Sequence, residues 1–391
     1  MAFIAFLGIA GFAAGFILLW ALGSWIVGGP GFPWETRDPQ VATSVGLAVD
    51  SEYEIEPLID QIVLRDMSYV PIKGVYVSSY AAGDSGIMER LLGLANTTEI
   101  NSFVVDVKED FGAITYAAAV PLANELGLIE KRIKDIDGFI STLSENGIIP
   151  IARVVCFKDT MLARERPDLA VMHTDGTMWE DYNELNYTNP YNHEVWEYLV
   201  QVAEDAARRG FREIQFDYVR FPSDGPISKA VYPGEYCSKA DAIAGFLAYA
   251  RARLEKLGVW VSADVFGIVI MDTPDADTIG QKYDKVCQNV DIICPMVYPS
   301  HYESGSYGLE NPNGSPYELV TAAMKQTATR VAGTGAMGRP WLQDFTLGRV
   351  EYGVERVKAQ IKAAEEQGFS EWLLWNASVK YTAGALRKEG G

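Results

Sequence analysis

Two aspartates stand in apolar, strand-like runs of this sequence, close to where each run ends. Asp217 follows the run 213–216 and precedes Tyr-Val-Arg-Phe-Pro, and Asp264 lies in the run 259–266. Because apolar or aromatic residues follow each aspartate before any turn signal, both carboxyl groups are expected to be partly desolvated. Desolvation and a like charge raise the pKa of one carboxyl of such a pair, which separates a general acid from a base or nucleophile. Glycoside hydrolysis requires this division of roles.

Eight strand-like runs alternate with helical stretches along most of the chain. The strand candidates are 74–79, 102–108, 148–157, 213–221, 259–266, 291–298, 340–345 and 371–376, and helical stretches lie near 85–95, 132–146, 193–209, 238–257, 275–288, 316–331 and 349–367. Apolar strands that alternate with helices predict a parallel sheet covered on both faces. Eight such units in about 300 residues predict a (β/α)8 TIM barrel. A doubly wound open sheet is the structural alternative, but no G-x-G-x-x-G follows the first strand and no P-loop occurs.

The carboxyl ends of the predicted strands are rich in polar and aromatic residues, and in a TIM barrel these ends form the active site. A lone aspartate there is more often a turn former or helix cap than a catalyst, but Asp217 and Asp264 are expected on neighbouring strands of one rim. Asp344, after the seventh strand, is a third candidate catalytic carboxylate. The candidate substrate-binding residues are Tyr76, Asp106, Lys108, Trp179, Arg220, Tyr298, His301, Gln343 and Trp375.

The connection after the third strand, residues 158–192, is long and mixes aromatic with amide side chains. Loops of this length in a compact barrel are usually functional. Rings such as those of Trp179, Tyr182 and Tyr187 can stack on the C–H faces of a sugar while amides and carboxylates bind its hydroxyl groups. The same rings could instead pack the loop onto the barrel, and the sequence leaves both interpretations open.

Several of these runs resemble a known family. Gly-Val-Tyr-Val-Ser-Ser79, Asp-Val-Lys108, Ala-Arg-Val-Val155, Phe-Asp-Tyr-Val-Arg-Phe-Pro222, Ser-Ala-Asp-Val-Phe-Gly267 and Met-Val-Tyr-Pro299 are similar to motifs of the predicted glycoside hydrolase barrel domains, a bacterial and archaeal family catalogued without an assigned function. The resemblance covers roughly residues 72–380 and implies a TIM barrel related to amylase-like and melibiase-like glycosidases. It implies that Asp217 is the nucleophile. The chain departs from the amylase pattern by having Asp264 in place of the acidic Glu and Gln215 in place of the Arg before the nucleophile.

The N-terminal residues predict a membrane segment. Residues 2–27 contain no charged side chain, and at about 1.5 Å per residue they can cross a hydrocarbon core of about 30 Å. A cleaved signal peptide is the alternative, because Ala21-Leu-Gly23 has the small-x-small spacing that a signal peptidase needs. We therefore divide the chain into a transmembrane or signal-anchor segment (1–28), a linker (29–71), the barrel (72–380) and a C-terminal tail (381–391).

The composition limits the partners and cofactors of the protein. A formal net charge of −19 argues against nucleic acid and against an anionic membrane surface, so membrane association is expected only through the N-terminal helix. The four cysteines and three histidines show no C-x-x-C pair and no metal-ligand spacing. The sequence predicts no metal and no cofactor, and it leaves the oligomeric state open.

These features predict a glycoside hydrolase that acts on a polysaccharide or oligosaccharide outside the cytoplasm, anchored to a membrane or secreted if the N-terminal segment is cleaved. A barrel that binds glycans of the cell envelope without cleaving them is the alternative, which needs the aromatic loop but not both carboxylates. An enzyme of phosphorylated metabolites ranks below both, because no Gly-rich phosphate loop follows the seventh or eighth strand.

Overall fold

The structure, a computed structural model, describes residues 69–388, and eight parallel strands in this range close into a barrel. The strands are β1 (Lys73–Val77), β2 (Ser102–Lys108), β3 (Ile149–Val155), β4 (Glu213–Asp217), β5 (Trp260–Phe266), β6 (Ile292–Val297), β7 (Trp341–Gln343) and β8 (Trp372–Trp375). Each strand pairs in parallel with the next, and β8 pairs with β1. The predicted (β/α)8 barrel is confirmed, and the open-sheet alternative is wrong.

Helices cover the outside of the barrel between successive strands. In chain order the main helix of each connection is α1 (Ser85–Ala95), α2 (Ile136–Glu145), α3 (His193–Arg208), α4 (Lys239–Leu254), α5 (Tyr283–Cys287), α6 (Pro316–Val331) or α7 (Val354–Glu366), and further helices span Ser79–Ala82, Pro121–Leu126, Thr160–Glu165 and Pro274–Ile279. The single helix predicted at 275–288 is two helices. Gly280 ends the first of them with φ +76°, at a place where a Cβ would lie 2.8 Å from the Lys239 carbonyl oxygen.

Local signals explain where these elements begin and how they are buried. Strands β2 and β4 are buried at every position, as expected of parallel strands covered by side chains inside and helices outside. Helix α3 begins at Asn192, whose side chain accepts a hydrogen bond from the Glu194 N–H, and helix α1 begins in the same way at Asp84. This packing presents the carboxyl ends of all eight strands, with the loops that follow them, at one face of the barrel.

Two of these loops are joined by a short antiparallel ribbon. Met172–His173, in the loop after β3, pairs with Ala230–Val231, in the loop after β4. The ribbon joins the long loop after β3 to the loop after β4, and β4 ends at Asp217.

A buried charged network closes the opposite, N-terminal end of the barrel. Arg339 donates from Nη1 to both carboxylate oxygens of Glu213, at 2.8 and 2.9 Å, and from Nη2 to Glu371 at 3.3 Å. The Tyr69 hydroxyl donates to Glu371 at 2.6 Å, and the Ser262 hydroxyl donates to Glu213 at 2.5 Å. We call these five residues the barrel floor. Tyr69 therefore packs as part of the barrel, although the sequence assigns it to the linker.

The C-terminal residues of the described chain pack on the barrel. Residues 381–388, predicted as part of a C-terminal tail, pack on the barrel: the Tyr381 hydroxyl donates to the Tyr76 carbonyl oxygen, and Arg387 pairs with Glu99 and Glu365. The predicted membrane segment and the linker up to residue 68 lie outside the described residues. Between residues 69 and 388, none of the helices combines the length and the apolar character needed to cross a membrane.

Candidate active site

Arg153 of β3 links three carboxylates at the C-terminal mouth of the barrel. Its Nη1 donates to Asp106 at 2.6 Å, its Nε and Nη2 donate to Asp217 at 2.9 and 2.6 Å, and its Nη2 also donates to Asp110 at 2.9 Å. The Arg153 side chain is only 2% exposed, so water screens these attractions weakly. Arg153 thereby fixes the orientation of the Asp217 carboxylate at the end of β4.

Asp264, on the neighbouring strand β5, has a different environment. It pairs with no basic side chain among residues 69–388, and its Oδ1 accepts a hydrogen bond from Trp341 Nε1 at 2.8 Å. The residues before the two aspartates, Phe216 and Ala263, are register partners, so Asp217 and Asp264 end up on adjacent strands. Burial, and then the negative charge of Asp217, raises the pKa of Asp264 well above its ordinary value. Asp264 therefore keeps its proton to a much higher pH than a solvated aspartate does.

Aromatic side chains form one wall of the mouth. The Tyr76 hydroxyl donates to Asp106 at 2.5 Å, and the Tyr76 ring stacks on the Trp375 ring with centroids 4.1 Å apart. The Arg153 guanidinium carbon lies 5.5 Å from the centroid of the Trp375 ring. These rings hold water away from the ion pairs and leave an apolar surface beside Asp217.

The backbone bends sharply directly after Asp217. Tyr218 has φ +48°, a left-handed conformation that is uncommon for a residue other than glycine. In this conformation the Tyr218 N–H donates to Asp217 Oδ1 at 2.6 Å. A strained residue of this kind costs about 1–3 kcal/mol and is found most often at functional sites. The bend completes the hydrogen bonding of the carboxylate that Arg153 holds from the other side.

Asp106 makes the stability of the folded protein depend on pH. Burial raises the pKa of Asp106 from 3.8 to about 6, although Arg153 opposes the rise. The folded protein therefore holds a proton that the unfolded chain releases between about pH 4 and 6, so this residue's contribution to stability is lost as the pH rises through that window. The full effect corresponds to about 3 kcal/mol.

We expect Asp106→Asn to remove this pH dependence, because asparagine does not titrate. The measurement is the free energy of unfolding in urea, for the parent and the variant, at several pH values from 4 to 8. The difference between the two proteins should change between pH 4 and 6 and be constant above pH 7. A difference that is the same at every pH would show that Asp106 titrates as it does in solvent.

Two predicted residues at the end of β7 lie outside the Arg153 network and support loops instead. Both Asp344 carboxylate oxygens accept hydrogen bonds from Thr382, from its N–H at 2.8 Å and from its hydroxyl at 2.6 Å. Gln343 is fully buried, accepts from the Ser300 N–H and donates to the Phe345 carbonyl oxygen. The structure therefore places Asp344 and Gln343 in loop packing, separate from Asp217.

Lys108 and Trp179 were predicted to bind substrate, and the structure does not place either at the mouth. β2 has a register irregularity between Asp106 and Lys108, so the two side chains do not share a face as simple alternation requires. The Lys108 ammonium is fully buried and pairs with Asp159 at 2.8 Å. Trp179 is also fully buried, packs edge-on against Tyr187 and donates from Nε1 to the Pro226 carbonyl oxygen. For Trp179 and Tyr187 the loop-packing interpretation describes the structure.

The remaining predicted residues lie around the mouth. Burial, followed by the charges of Asp264 and Asp217, raises the pKa of Tyr298 well above its ordinary value. Its ring meets His301 edge-on, with centroids 5.4 Å apart. Burial lowers the pKa of His301. Arg220 lies between the rings of Tyr218 and Phe266. The structure thus brings together Tyr76, Asp106, Asp217, Asp264, Tyr298 and Trp375, with Arg220 and His301 beside them.

Arg153 belongs to the site, although the sequence alone does not single it out as a functional residue. The amylase pattern has an arginine two residues before the nucleophile, where this chain has Gln215, and Gln215 instead points to the Cys294 sulfur at 3.3 Å. The neighbouring strand supplies the guanidinium. A signal was present, because a charged residue in the apolar run 149–155 needs a buried partner of opposite charge. The sequence did not reveal which carboxylates those partners are.

Exposed aromatic rings occur on the loops around the same mouth. Tyr80, Phe111, Tyr182 and Tyr236 are exposed, and they follow β1, β2, β3 and β4 respectively. Tyr182 exposes 75% of its surface, in contrast to the buried Trp179 of the same loop. Four aromatic rings are therefore partly open to solvent after successive strands, and the Arg132 guanidinium lies 4.3 Å from the centroid of the Tyr80 ring.

No metal site is found within the described part of the chain. Among residues 69–388, no group of three or more His, Cys, Asp or Glu side chains has a geometry that could hold a metal ion. All four cysteines are free thiols, and Cys156, Cys287 and Cys294 are buried.

The comparison with known families agrees with the barrel and its rim motifs. Residues 74–381 match a family model described as "Putative glycosyl hydrolase domain". This chain belongs to that family. The matched range begins at the second residue of β1 and includes the other seven strands. It contains Asp106, Arg153, Asp217 and Asp264. No curated protein sequence matches the chain.

Solved structures of similar fold include glycoside hydrolases. A glycoside hydrolase domain of PgaB (BpsB) from Bordetella bronchiseptica superimposes with a TM-score of 0.54 at 13% identity, over 79% of this chain and 95% of that one. The GH20 exo-β-N-acetylglucosaminidase from Vibrio harveyi gives a TM-score of 0.50 at 13% identity, over 82% and 55%. A hypothetical protein from Ruminiclostridium thermocellum is 38% identical over 49% of this chain and 97% of its own, with a TM-score of 0.46. At these identities the two glycoside hydrolase likenesses establish the fold.

Proposed function

We propose that this protein is a glycoside hydrolase that acts on a polysaccharide or oligosaccharide, with Asp217 as nucleophile or base and Asp264 as general acid. The observation that carries the proposal is the contrast between the two carboxyl groups on adjacent strands. Arg153 holds Asp217 through two of its nitrogens, whereas Asp264 has no basic partner among residues 69–388 and has a raised pKa. An acid that keeps its proton beside an oriented carboxylate is the arrangement that glycosidic bond cleavage needs.

The chemistry assigns one task to each group. Asp264 gives its proton to the glycosidic oxygen as the bond to the anomeric carbon breaks, so the leaving sugar departs as an alcohol. Asp217 either attacks the anomeric carbon or removes a proton from the water that attacks it. Both carboxyl groups are recessed, with 5% of Asp217 and 1% of Asp264 exposed, so the sugar must enter the barrel mouth to reach them. Tyr76 and Trp375 supply an apolar wall for that sugar.

Two further features support a glycan substrate. The family is described by glycosyl hydrolase activity, and the Bordetella bronchiseptica domain of similar fold is named a glycoside hydrolase domain. The exposed rings of Tyr80, Phe111, Tyr182 and Tyr236 suit the C–H faces of successive sugar units, which favours a polymer over a single small sugar. We further propose that the barrel works outside the cytoplasm, anchored by the apolar segment 2–27 or secreted after its cleavage.

Asp264→Asn tests the acid. We expect the variant to lose about 10²- to 10⁴-fold in turnover of a natural glycosidic bond, because proton donation to the leaving group is removed. An aryl glycoside with a good leaving group needs little protonation, so its hydrolysis should be largely restored. The measurement is kcat/KM for both substrate types in parent and variant. Equal loss on both substrates, or no loss on either, would contradict the role of Asp264 and move the acid to Asp106.

The alternative function is a glycan-binding barrel without catalysis. A broad panel of polysaccharides, assayed for new reducing ends and for binding, separates the two functions. Cleavage that disappears in Asp217→Asn supports the hydrolase. Binding of several glycans that Tyr182→Ala weakens, with no cleavage of any, would establish the binding protein instead.

A further inference from the structure

Arg220 is the exception among the buried basic side chains of residues 69–388. Lys108, Arg153 and Arg339 are each buried and each lies within 4.0 Å of a carboxylate. Arg220 is only 3% exposed, yet it forms no ion pair with any carboxylate of residues 69–388. A buried arginine without an anion is unusual, because removing a guanidinium from water is unfavourable unless an opposite charge compensates.

Two aromatic rings and two oxygen acceptors hold the guanidinium of Arg220 in place. The guanidinium carbon lies 4.9 Å from the Tyr218 ring centroid and 4.7 Å from the Phe266 ring centroid. Its Nη1 donates to the Phe221 carbonyl oxygen at 3.0 Å, and it also bonds to the Tyr187 hydroxyl. Two rings flank a planar fork of five N–H donors, of which the Phe221 carbonyl oxygen and the Tyr187 hydroxyl accept hydrogen bonds. A guanidinium held in this way is preorganised to bind an anion through two parallel hydrogen bonds.

A second cation shares the Tyr218 ring. The Lys158 Nζ lies 4.7 Å from the Tyr218 ring centroid, and Lys158 forms no ion pair with the described residues. Asp224 interacts with both cations at longer range, and Asp217 interacts with Arg220 in the same way. The two cations partly oppose the rise of the Asp224 pKa that burial and Asp181 cause. Two cations on one ring, neither in an ion pair within the described range, stand out in a chain whose formal net charge is −19. Because Tyr218 follows Asp217 directly, they adjoin the proposed catalytic carboxylate.

We infer that Lys158, Tyr218 and Arg220 form a subsite for a sugar unit that carries a carboxylate, so that the substrate is an acidic glycan containing uronic acid. This inference rests on the proposed function, since it concerns the sugar bound next to Asp217. The Arg220 fork fits the two oxygens of a carboxylate, and Lys158 adds a second positive charge. A neutral sugar would leave both cations with only the longer-range attraction of Asp224 and Asp217.

Binding of defined oligosaccharides tests the subsite apart from catalysis. The full chain carrying Asp217→Asn is titrated by calorimetry with tetragalacturonate, with tetramannuronate and with the carboxyl-reduced form of each. Sulfated neutral tetrasaccharides form a separate arm, which distinguishes a sugar carboxylate from a sulfate ester. We expect at least one of the two acidic tetrasaccharides to bind roughly 10- to 100-fold more tightly than its own carboxyl-reduced form, because its carboxylates accept charge-assisted hydrogen bonds.

Variants assign the discrimination to these residues. Arg220→Met should abolish most of the preference for the acidic form, and Lys158→Met, at a half-buried position, should reduce it. Lys229→Met removes a positive charge from an exposed position on the same loop and should leave the preference unchanged. Circular dichroism and thermal unfolding check that each variant is folded.

The outcomes separate this inference from the proposed hydrolase. The subsite would be overturned by equal affinity for acidic and reduced forms, or by failure of every acidic tetrasaccharide to bind at millimolar concentration. It would also be overturned if Lys229→Met lost as much of the preference as Arg220→Met. Preference for sulfated over carboxylated sugars would overturn the uronic acid assignment. Cleavage of neutral glycans without charge preference would leave the hydrolase standing and the subsite wrong. Acidic binding that needs Arg220, with no cleavage by the parent protein, would leave the subsite standing and the hydrolase wrong.

Discussion

Asp217→Asn is expected to lower turnover of a cleaved glycan by about 10³-fold or more while the protein stays folded. General base catalysis alone contributes about 10² to 10⁴, and a covalent intermediate adds to it. The fold should survive because Arg153 keeps its ion pairs with Asp106 and Asp110. The measurement is kcat/KM on a polysaccharide and on an aryl glycoside, and unlike Asp264→Asn this variant should remain inactive on both. Added azide, which attacks the anomeric carbon without a base, should restore turnover as a glycosyl azide. The anomeric configuration of the parent's product then separates the two roles, because a nucleophile gives retention and a base gives inversion.

Asp344→Asn is the matched control for Asp217→Asn. It makes the same chemical change at a buried carboxyl group on the same rim, but the Asp344 oxygens bind Thr382 and lie outside the Arg153 network. We expect its kcat/KM to stay within a few-fold of the parent, with a modest loss of stability from the weakened hydrogen bonds. If Asp344→Asn were as inactive as Asp217→Asn while folded, Asp344 would be a catalytic carboxylate and its assignment to loop packing would be wrong.

Arg339→Met is expected to destabilise the protein by about 3–5 kcal/mol, because it leaves Glu213 and Glu371 buried without a cation. Arg339 is fully buried in the barrel floor, so water cannot replace it easily. A loss of this size is a large fraction of the roughly 5–15 kcal/mol that usually separates folded from unfolded states. The measurement is the free energy of unfolding in urea.

Two further variants separate charge from packing in the barrel floor. Arg208→Met, which removes an exposed arginine paired with Glu204 on helix α3, should cost at most about 1 kcal/mol. Adding Glu213→Gln and Glu371→Gln to Arg339→Met should recover part of the lost stability, because no uncompensated charge then remains. A triple variant that is less stable than Arg339→Met would show that hydrogen-bond geometry, not charge, dominates the barrel floor.

The arrangement of strands, and the two aspartates on neighbouring strands, could be predicted from the sequence. Ile214 and Phe216 alternate with polar residues in β4, β5 is mostly apolar, and each strand ends at or close to its aspartate. These strand-like patterns place both residues at the carboxyl ends of predicted strands. In a closed parallel barrel those ends meet at one face whatever the loops do. The proximity of Asp217 and Asp264 is therefore a consequence of local pattern and chain order.

Only the tertiary structure decided which polar residues share the site. Arg153 meets Asp106 and Asp217 across 47 and 64 residues of sequence, and the choice of partners depends on strand register, which local composition does not encode. The sequence predicts Lys108 at the mouth beside Asp106, but the irregularity in β2 breaks the alternation of side chains between the two faces of the strand. Trp179 was ambiguous because a ring can stack on a sugar or pack beneath a loop, and burial alone distinguishes the two. Residue types determined what chemistry was available, and three-dimensional packing determined which of those residues stand together.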